Sequence, residues 1–345
     1  MTRATKSDLV PGIMPTVLIT PEPLIGAPGP HITLLEEAGF GIAFPEDTTF
    51  TRGLVSEQET IDVLRGHSAV IAGGEFFTPK VLAELNDLRV IARAGVGYDR
   101  VDVAAATERG IAVTITPTAN HESVAEQTFA LLFAVAKSVV LHDKAARAGR
   151  WPKQLTEPVR GKTLGILGLG RIGRSVAVRA LAMRMEVIAT EPFPDEAFLR
   201  RCENIELVDF DTLLARSDYL TIHCPLNEKT AGLMNRDSFA RMKPGSVLIN
   251  TARGKLVAEA DLMDALTNGP LSGAGLDVFE DEPVSPDNPL LRMDRIVISP
   301  HLAGIDKRAQ ADMAIEAANC IIRLHRGEWP REAVVNEELR QGWKW

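Results

Sequence analysis

The 345-residue sequence has 46 acidic and 38 basic side chains, a net charge of −8, with 45% hydrophobic and 24% charged residues. That balance fits a folded chain long enough for two domains, and it excludes disorder, low complexity and collagen-like repeats. A net negative chain repels a phosphate backbone, so no nucleic-acid partner is expected. No polybasic segment or bilayer-length apolar run points to a membrane, since the greasiest stretch, Thr128 to Ala136, stops at Lys137. The segment Met1 to Pro15 carries Arg3, Lys6 and Asp8 and no apolar signal core. Cys202, Cys224 and Cys320 have neither CxxC nor metal-finger spacing. A reducing cytoplasmic setting without disulfides, and no metal site, is therefore expected.

In chain order, Val17–Thr20, Ala69–Ala72, Val90–Arg93 and Ala112–Ile115 read as strands, with helices at Glu57–Leu64 and Pro79–Leu85. Such alternation predicts crossovers and a parallel sheet covered on both faces. A long apolar helix is expected over Ser123 to Ala146, with Ser123 as N-cap and Glu126 completing a capping box. After a loop holding Trp151, Pro152 and Pro158, a second alternating series begins. Its strands are expected at Thr163–Leu167, Glu186–Thr190, Tyr219–His223, Ser246–Asn250, Gly275–Val278 and Arg295–Ile298. Helices fall at Ile172–Ala182, Phe210–Ala215, Arg236–Arg241 and Glu259–Thr267, and a last one at Lys307–Arg326. The fold class is thus α/β with two doubly wound parallel-sheet domains.

The run from Thr163 to Gly173 is a strand entering GxGxxG and then a helix. Gly168 permits the tight turn, Gly170 leaves room for a pyrophosphate, and Gly173 lets helix and strand pack closely. The phosphates would meet the unpaired N–H groups of a helix N-terminus. Glu191 follows the next strand, 18 residues beyond Gly173, where an acid binds the adenosine ribose hydroxyls. A carboxylate there repels a 2′-phosphate, so NAD is expected over NADP.

Three polar residues follow successive strand candidates: Arg253, Glu282 and His301. Carboxyl ends of strands border the ligand crevice of an open α/β sheet. A guanidinium can hold a substrate carboxylate in fork geometry and polarise the adjoining carbonyl. An imidazolium can deliver a proton to that carbonyl, and a carboxylate behind it favours the charged form. The set suits a 2-ketoacid taking up a hydride. Singly, each residue has a plainer reading: a structural histidine, a solvated acidic loop from Glu280, a surface ion pair.

The order GLGRIG, HCPL, NTARG, DVFEDEP and PHLAG closely resembles the D-isomer-specific 2-hydroxyacid dehydrogenase family, over about Val17 to Asn336. The resemblance implies a Rossmann NAD domain, residues 120–306, inserted into a flavodoxin-like substrate domain of residues 1–119 and 307–345. Arg253, Glu282 and His301 fall on the family's catalytic Arg, Glu and His. Arg171 and Ile172 would lie over the pyrophosphate, and Cys224, Thr251 and Ala252 would line the cofactor groove. Asp277 would face the nicotinamide carboxamide. Arg93 to Asp99 resembles the family's substrate loop, in which the N–H groups of Val96 and Gly97 would bind the substrate carboxylate; alone it reads equally as a turn. Asn120 would lie near the interdomain passage. A homodimer through the long helix and its loop is implied, with Trp151 as an interface anchor or an intrachain packing residue.

Phosphoglycerate dehydrogenases of the family carry an Arg after the strand at Ala69–Ala72. This sequence has Gly73-Gly-Glu75-Phe76-Phe77 there, and a carboxylate with two phenyl rings suits a non-phosphorylated or bulkier apolar substrate. Arg93 and Arg100 nearby keep a phosphate in play. No C-terminal regulatory domain is expected after Asn336. Two other functions fit the motifs: an NAD-sensing binding protein of the corepressor type, and a phosphite-type dehydrogenase. Glu282 argues against formate, since formate dehydrogenases have Gln there.

Overall fold

Short strands of Val, Ile, Leu and Ala, apolar on both sides, need cover on both faces, and crossover helices provide it. The computed structural model describes residues 14–52 and 55–345; residues 1–13, which hold most of the segment expected to lack a signal core, lie outside the described residues. The chain divides into two units, one of Met1–Pro117 with Ala311–Trp345, the other of Thr118–Gln310.

In the first unit the chain runs β1 (Thr16–Ile19), α1 (Pro30–Glu37), β2 (Gly41–Ala43), α2 (Glu57–Leu64), β3 (Ala69–Ala72), α3 (Pro79–Glu84), β4 (Val90–Arg93), α4 (Val103–Glu108) and β5 (Ala112–Thr114). These strands form a parallel sheet in the order β2-β1-β3-β4-β5, which is flavodoxin-like. Side chains alternate as the pleat demands: Val17, Ile19 and Ile71 enter one core, Leu18 and Val70 the other.

The second unit opens with α5 (His121–Ala136) and α6 (Val139–Arg147). It continues through β6 (Thr163–Leu167), α7 (Arg171–Ala182), β7 (Glu186–Thr190), α8 (Glu196–Arg201), β8 (Ile205–Leu207), α9 (Phe210–Arg216) and β9 (Tyr219–Ile222). Then come α10 (Arg236–Ala240), β10 (Ser246–Asn250), α11 (Glu259–Thr267), β11 (Leu271–Leu276) and β12 (Ile296–Ile298). The seven parallel strands lie in the order β12-β11-β10-β9-β6-β7-β8. Counted from β6, that is the Rossmann order with a seventh strand, and its switch point falls between β6 and β9. A last helix, α12 (Lys307–His325), leads back to the first unit and packs Ala314, Ala318 and Ile321 into its core.

Several expectations are corrected. The helix expected over Ser123–Ala146 is two helices, bent by 60° at Lys137–Ser138. Ser138 takes a left-handed φ of 50°, which ends α5 although the apolar pattern runs on. Ser123 is not the N-cap: the helix starts at His121 behind Asn120, and the Ser123 hydroxyl donates to the Ala303 carbonyl at 2.8 Å. No capping box with Glu126 forms. The strand expected at Gly275–Val278 lies earlier, as β11, so Asp277 and Val278 stand just past its end. Elements α1, β2, α4, α8 and β8 had no sequence counterpart. Among the described residues no single helix is long and apolar enough to cross a membrane; α5 and α6 pass that test only as a bent pair, and α5 is packed against β10, β11 and β12.

Candidate active site

The glycine loop between β6 and α7 sits at the switch point of the second sheet. Gly168 has φ +100°, and a Cβ there would lie 2.7 Å from the Cys224 amide nitrogen and 2.8 Å from the His223 carbonyl carbon. Only glycine lets this turn press against the end of β9. A Cβ on Gly173 would fall on the Gly168 carbonyl oxygen, so α7 and the loop pack backbone to backbone. At Gly170, which precedes the first residue of α7, a Cβ would meet nothing within 4 Å. The loop is therefore closed on two sides and open at the helix N-terminus, a cradle that fits a dinucleotide pyrophosphate. Arg171 is exposed on the first turn of α7, and Ile172 leans on the core.

Glu191 follows β7, and its carboxylate accepts from the Leu169 amide at 2.9 Å and the Phe193 amide at 3.0 Å. It thus tethers the glycine loop to the end of β7. Burial pushes the Cys224 thiol up to about 11, in keeping with a packed side chain rather than a redox group. Thr251 is buried and its hydroxyl meets that of Thr128 at 3.1 Å, while the Ala252 amide donates to Asn250 Oδ1 at 3.0 Å. His223, to which the sequence reading assigned nothing, is half-buried at the end of β9 with Nε2 2.9 Å from the Thr221 hydroxyl. Burial holds its imidazole down at about 3, so it is neutral.

Three neighbouring strands, β10, β11 and β12, deliver the polar trio. Arg253 follows β10, with Nη1 donating to the Ala252 carbonyl at 2.7 Å. Its neighbour Gly254 lies so close to the segment after β11 that a Cβ would fall on the Phe279 carbonyl. The Arg253 and Glu282 segments are therefore packed side by side. Glu282 accepts from the Phe279 amide through Oε1 at 3.1 Å, and Oε2 stands 2.7 Å from His301 Nδ1. A carboxylate fixed by a backbone amide and aimed at one ring nitrogen leaves the other nitrogen of His301 for chemistry.

His301 follows β12 in the left-handed region, φ 54°, an uncommon place for a side chain with a Cβ. Its amide donates to the carbonyls of Asp277 at 2.8 Å and Ser299 at 3.1 Å. Asp277, only 1% exposed, holds the same turn by its side chain. Oδ1 accepts from the Ser299 hydroxyl and, at 2.9 Å, from the Leu302 amide; Oδ2 accepts from the Ala303 amide at 2.9 Å. Burial pushes the Asp277 carboxyl above its ordinary range, and these hydrogen bonds oppose the push. Asp277 thus fixes the His301 turn, whatever it offers a nicotinamide. Asn120 is buried with its carboxamide against Gly304.

Val96 and Gly97 belong to the first unit, in the loop after β4. Gly95 has φ +155°, and among the described residues the amides of Val96 and Gly97 have no backbone partner. Arg93 buries its guanidinium beneath this loop: Nε donates to the Gly97 carbonyl at 3.2 Å and Nη1 to that of Gly73. The neighbouring loop after β3 differs from expectation. Phe77 is fully buried in the core, and Glu75, 1% exposed, turns inward to accept from the Thr20 hydroxyl at 2.6 Å. Burial raises the Glu75 carboxyl despite the pull of Arg93. Of the three side chains expected to face a substrate, only Phe76 is exposed, under the Arg100 guanidinium at 4.8 Å from its ring centre.

The residues missed by sequence reading are Gln127 and Thr128, which touch the His301 and Arg253 segments through Ser299 and Thr251, and Ser299 itself. Their signal was weak: Gln127 and Thr128 lie where the polar first half of α5 meets its apolar second half, and Ser299 is a lone serine after a strand.

A model of the NAD binding domain of the D-isomer specific 2-hydroxyacid dehydrogenases matches residues 129–303. Similar proteins include a D-3-phosphoglycerate dehydrogenase of Archaeoglobus fulgidus, 40% identical over 286 residues, 82% of this chain and 54% of that protein. A glyoxylate reductase of Korarchaeum cryptofilum is 41% identical over 258 residues, covering 73% of this chain and 77% of its own. The solved structure of a Thermus thermophilus protein matches with a TM-score of 0.81 at 34% identity, covering 93% of this chain and 99% of that one. The chain spans about half the length of the phosphoglycerate dehydrogenases it matches. With a family model covering half its length and a glycine loop that fits a dinucleotide, the chain belongs to the D-isomer specific 2-hydroxyacid dehydrogenase family and carries its NAD-binding domain.

Proposed function

We propose that the protein is an NAD-dependent D-2-hydroxyacid dehydrogenase that interconverts a small 2-ketoacid and its 2-hydroxyacid. The observation that carries this reading is the 2.7 Å pair of His301 Nδ1 and Glu282, standing beside the Arg253 segment at the carboxyl ends of adjacent strands. Bound NAD supplies or accepts the hydride. Arg253 grips the substrate carboxylate and polarises the carbonyl. His301, held by Glu282 at Nδ1, gives a proton from Nε2 to the carbonyl oxygen as charge grows there, and takes it back in the oxidative direction. The amides of Val96 and Gly97, in the first unit, are donors of the kind that suits a carboxylate. Glu191 selects the ribose diol of NAD.

Arg93 and Arg100 donate to the carbonyls of Gly73, Gly97 and Gly74, which leaves fewer of their N–H donors for a phosphate group and favours a substrate without one. A homodimer through α6 and the following loop agrees with Trp151 and Leu155, 80% and 98% exposed, rather than with intrachain packing of Trp151.

The test is NADH oxidation with glyoxylate, pyruvate, hydroxypyruvate, phenylpyruvate and phosphohydroxypyruvate. Turnover of a non-phosphorylated acid, abolished by His301→Ala, is expected. NADH binding without turnover on any of them would overturn the enzymatic reading in favour of a binding protein.

A further inference from the structure

Helix α5 lies behind both catalytic segments, and its buried face is not wholly apolar. Asn120, Ser123 and Gln127 recur at helical spacing and meet the segment 299–304 in reverse order. The Asn120 carboxamide packs on Gly304, Ser123 donates to the Ala303 carbonyl at 2.8 Å, and Gln127 Nε2 donates to the Ser299 hydroxyl at 3.0 Å. The Ser299 hydroxyl, having accepted from Gln127, spends its one proton on Asp277, which grips the amides of Leu302 and Ala303. His301 lies inside that turn. Beside this seam Thr128, fully buried, donates to the Val124 carbonyl at 2.8 Å. Its remaining capacity is to accept, so the contact at 3.1 Å is donated by Thr251, two residues before Arg253.

We infer that Ser123, Gln127 and Thr128 are positioning residues for the reaction: through them one rigid helix sets the place of His301 and of Arg253 together. The inference rests on the reading of His301 and Arg253 as the reacting groups. The physical case is that each of these bonds is buried or half-buried on an apolar helix, where polar groups are retained only if paired. A loop residue in the left-handed region needs such outside restraint. Three side chains of one helix, Ser123 and Gln127 toward the His301 turn and Thr128 toward Thr251, give the acid and the guanidinium a common frame, independent of the loops themselves.

The test uses the full chain with Thr128→Val, Thr128→Ser, Gln127→Leu and Ser123→Ala. Each is assayed for kcat, KM, NADH affinity and the primary isotope effect with NADH deuterated at the transferred position. Thr128→Val keeps the shape and removes the acceptor; Thr128→Ser keeps the hydroxyl. We expect Thr128→Val and Gln127→Leu each to lower kcat about tenfold, by misplacement of a few tenths of an ångström. For Gln127→Leu and Ser123→Ala, which touch neither the dinucleotide loop nor Thr251, NADH affinity should stay within about twofold. The isotope effect should rise as hydride transfer becomes limiting, and Thr128→Ser should restore both values. A lowered melting temperature with kcat and isotope effect unchanged would reduce the residues to packing and overturn the inference. Should any variant fail to fold, Ser123→Ala, which removes one bond and little volume, decides the matter by the same readouts. If His301→Ala itself keeps turnover, it is the functional reading that falls; if only the α5 variants are silent, the inference alone falls.

Discussion

Replacing Asp277 by asparagine keeps the outline of the side chain and reverses one of its ends. The carboxylate accepts three hydrogen bonds, from the Ser299 hydroxyl and the amides of Leu302 and Ala303. An amide must turn its NH2 toward Leu302 or Ala303, and Ala303 is only 3% exposed. The buried donor so stranded costs about 1–3 kcal/mol, and loss of charge assistance in the surviving bonds about 1 kcal/mol each. Relief of the burial that pushes the carboxyl upward returns part of this. The net loss is about 2–4 kcal/mol, concentrated in the 299–304 turn. Amide hydrogen exchange is the direct assay: protection of Leu302 and Ala303 should fall on the order of a hundredfold, a tenfold step for each 1.4 kcal/mol. The freed His301 backbone can leave its left-handed conformation, so kcat should fall about a hundredfold as well. Unchanged protection of these amides would refute the assignment of Asp277 as the anchor of the turn.

Other outcomes follow from the cofactor loop and its surroundings. Gly170→Ala should leave stability within about 0.5 kcal/mol, since its Cβ enters open space, yet weaken NADH binding about tenfold; Gly173→Ala should cost about 1–3 kcal/mol of stability. Thermal unfolding and NADH titration separate the two, and a reversed pattern would remove Gly170 from the pyrophosphate site. Glu191→Ala combined with Phe193→Arg, the latter position being 90% exposed, should raise the NADPH-to-NADH ratio of kcat/KM at least about tenfold. Undiminished preference for NADH would exclude Glu191 as the ribose ligand. Because burial holds His223 down at about 3 from 6.5, the unfolded chain takes up a proton first as pH falls. Stability is therefore lost on acidification through that window, by up to about 2 kcal/mol between pH 7 and pH 5. Urea unfolding of His223→Gln at both pH values should lack that part of the loss; an identical pH response would contradict it.

Much of the second unit was legible because its strands are Val- and Ile-rich and its glycine loop sits where a strand must turn into a helix. The ends of β6, β7, β10 and α11 agree with their sequence expectations for that reason. β11 was legible only in part: the strand expected from Gly275 starts at Leu271, because Ser272 and Gly273 interrupt the apolar run before it. The glycines are there because α5 comes close: a Cβ on Gly273 would lie 2.7 Å from Val135, and one on Gly275 2.9 Å from Leu131. The edge strands β2 and β8 are three residues long and only partly buried, too short to show a period. Around the site, Glu282 and His301 could be singled out by their places after strands. The contacts of Ser123, Gln127 and Ser299 depend on helix placement, which leaves no trace in residue spacing alone. Glu75 misled for a similar reason: its partner Thr20 is distant in sequence and adjacent in the sheet.

The return of α12 to the first unit bears on how the newborn chain matures. Its Ala314, Ala317, Ala318, Ile321, Ile322 and Leu324 cover the same side of the first sheet as Val17, Ile19 and Ile71. During synthesis those early strands emerge long before their lid exists, whereas every element of the inserted unit up to β12 is already out of the ribosome. The later-made unit can consequently consolidate first, and the N-terminal strands wait with one greasy side bare, the part of the molecule most in need of a chaperone's shelter.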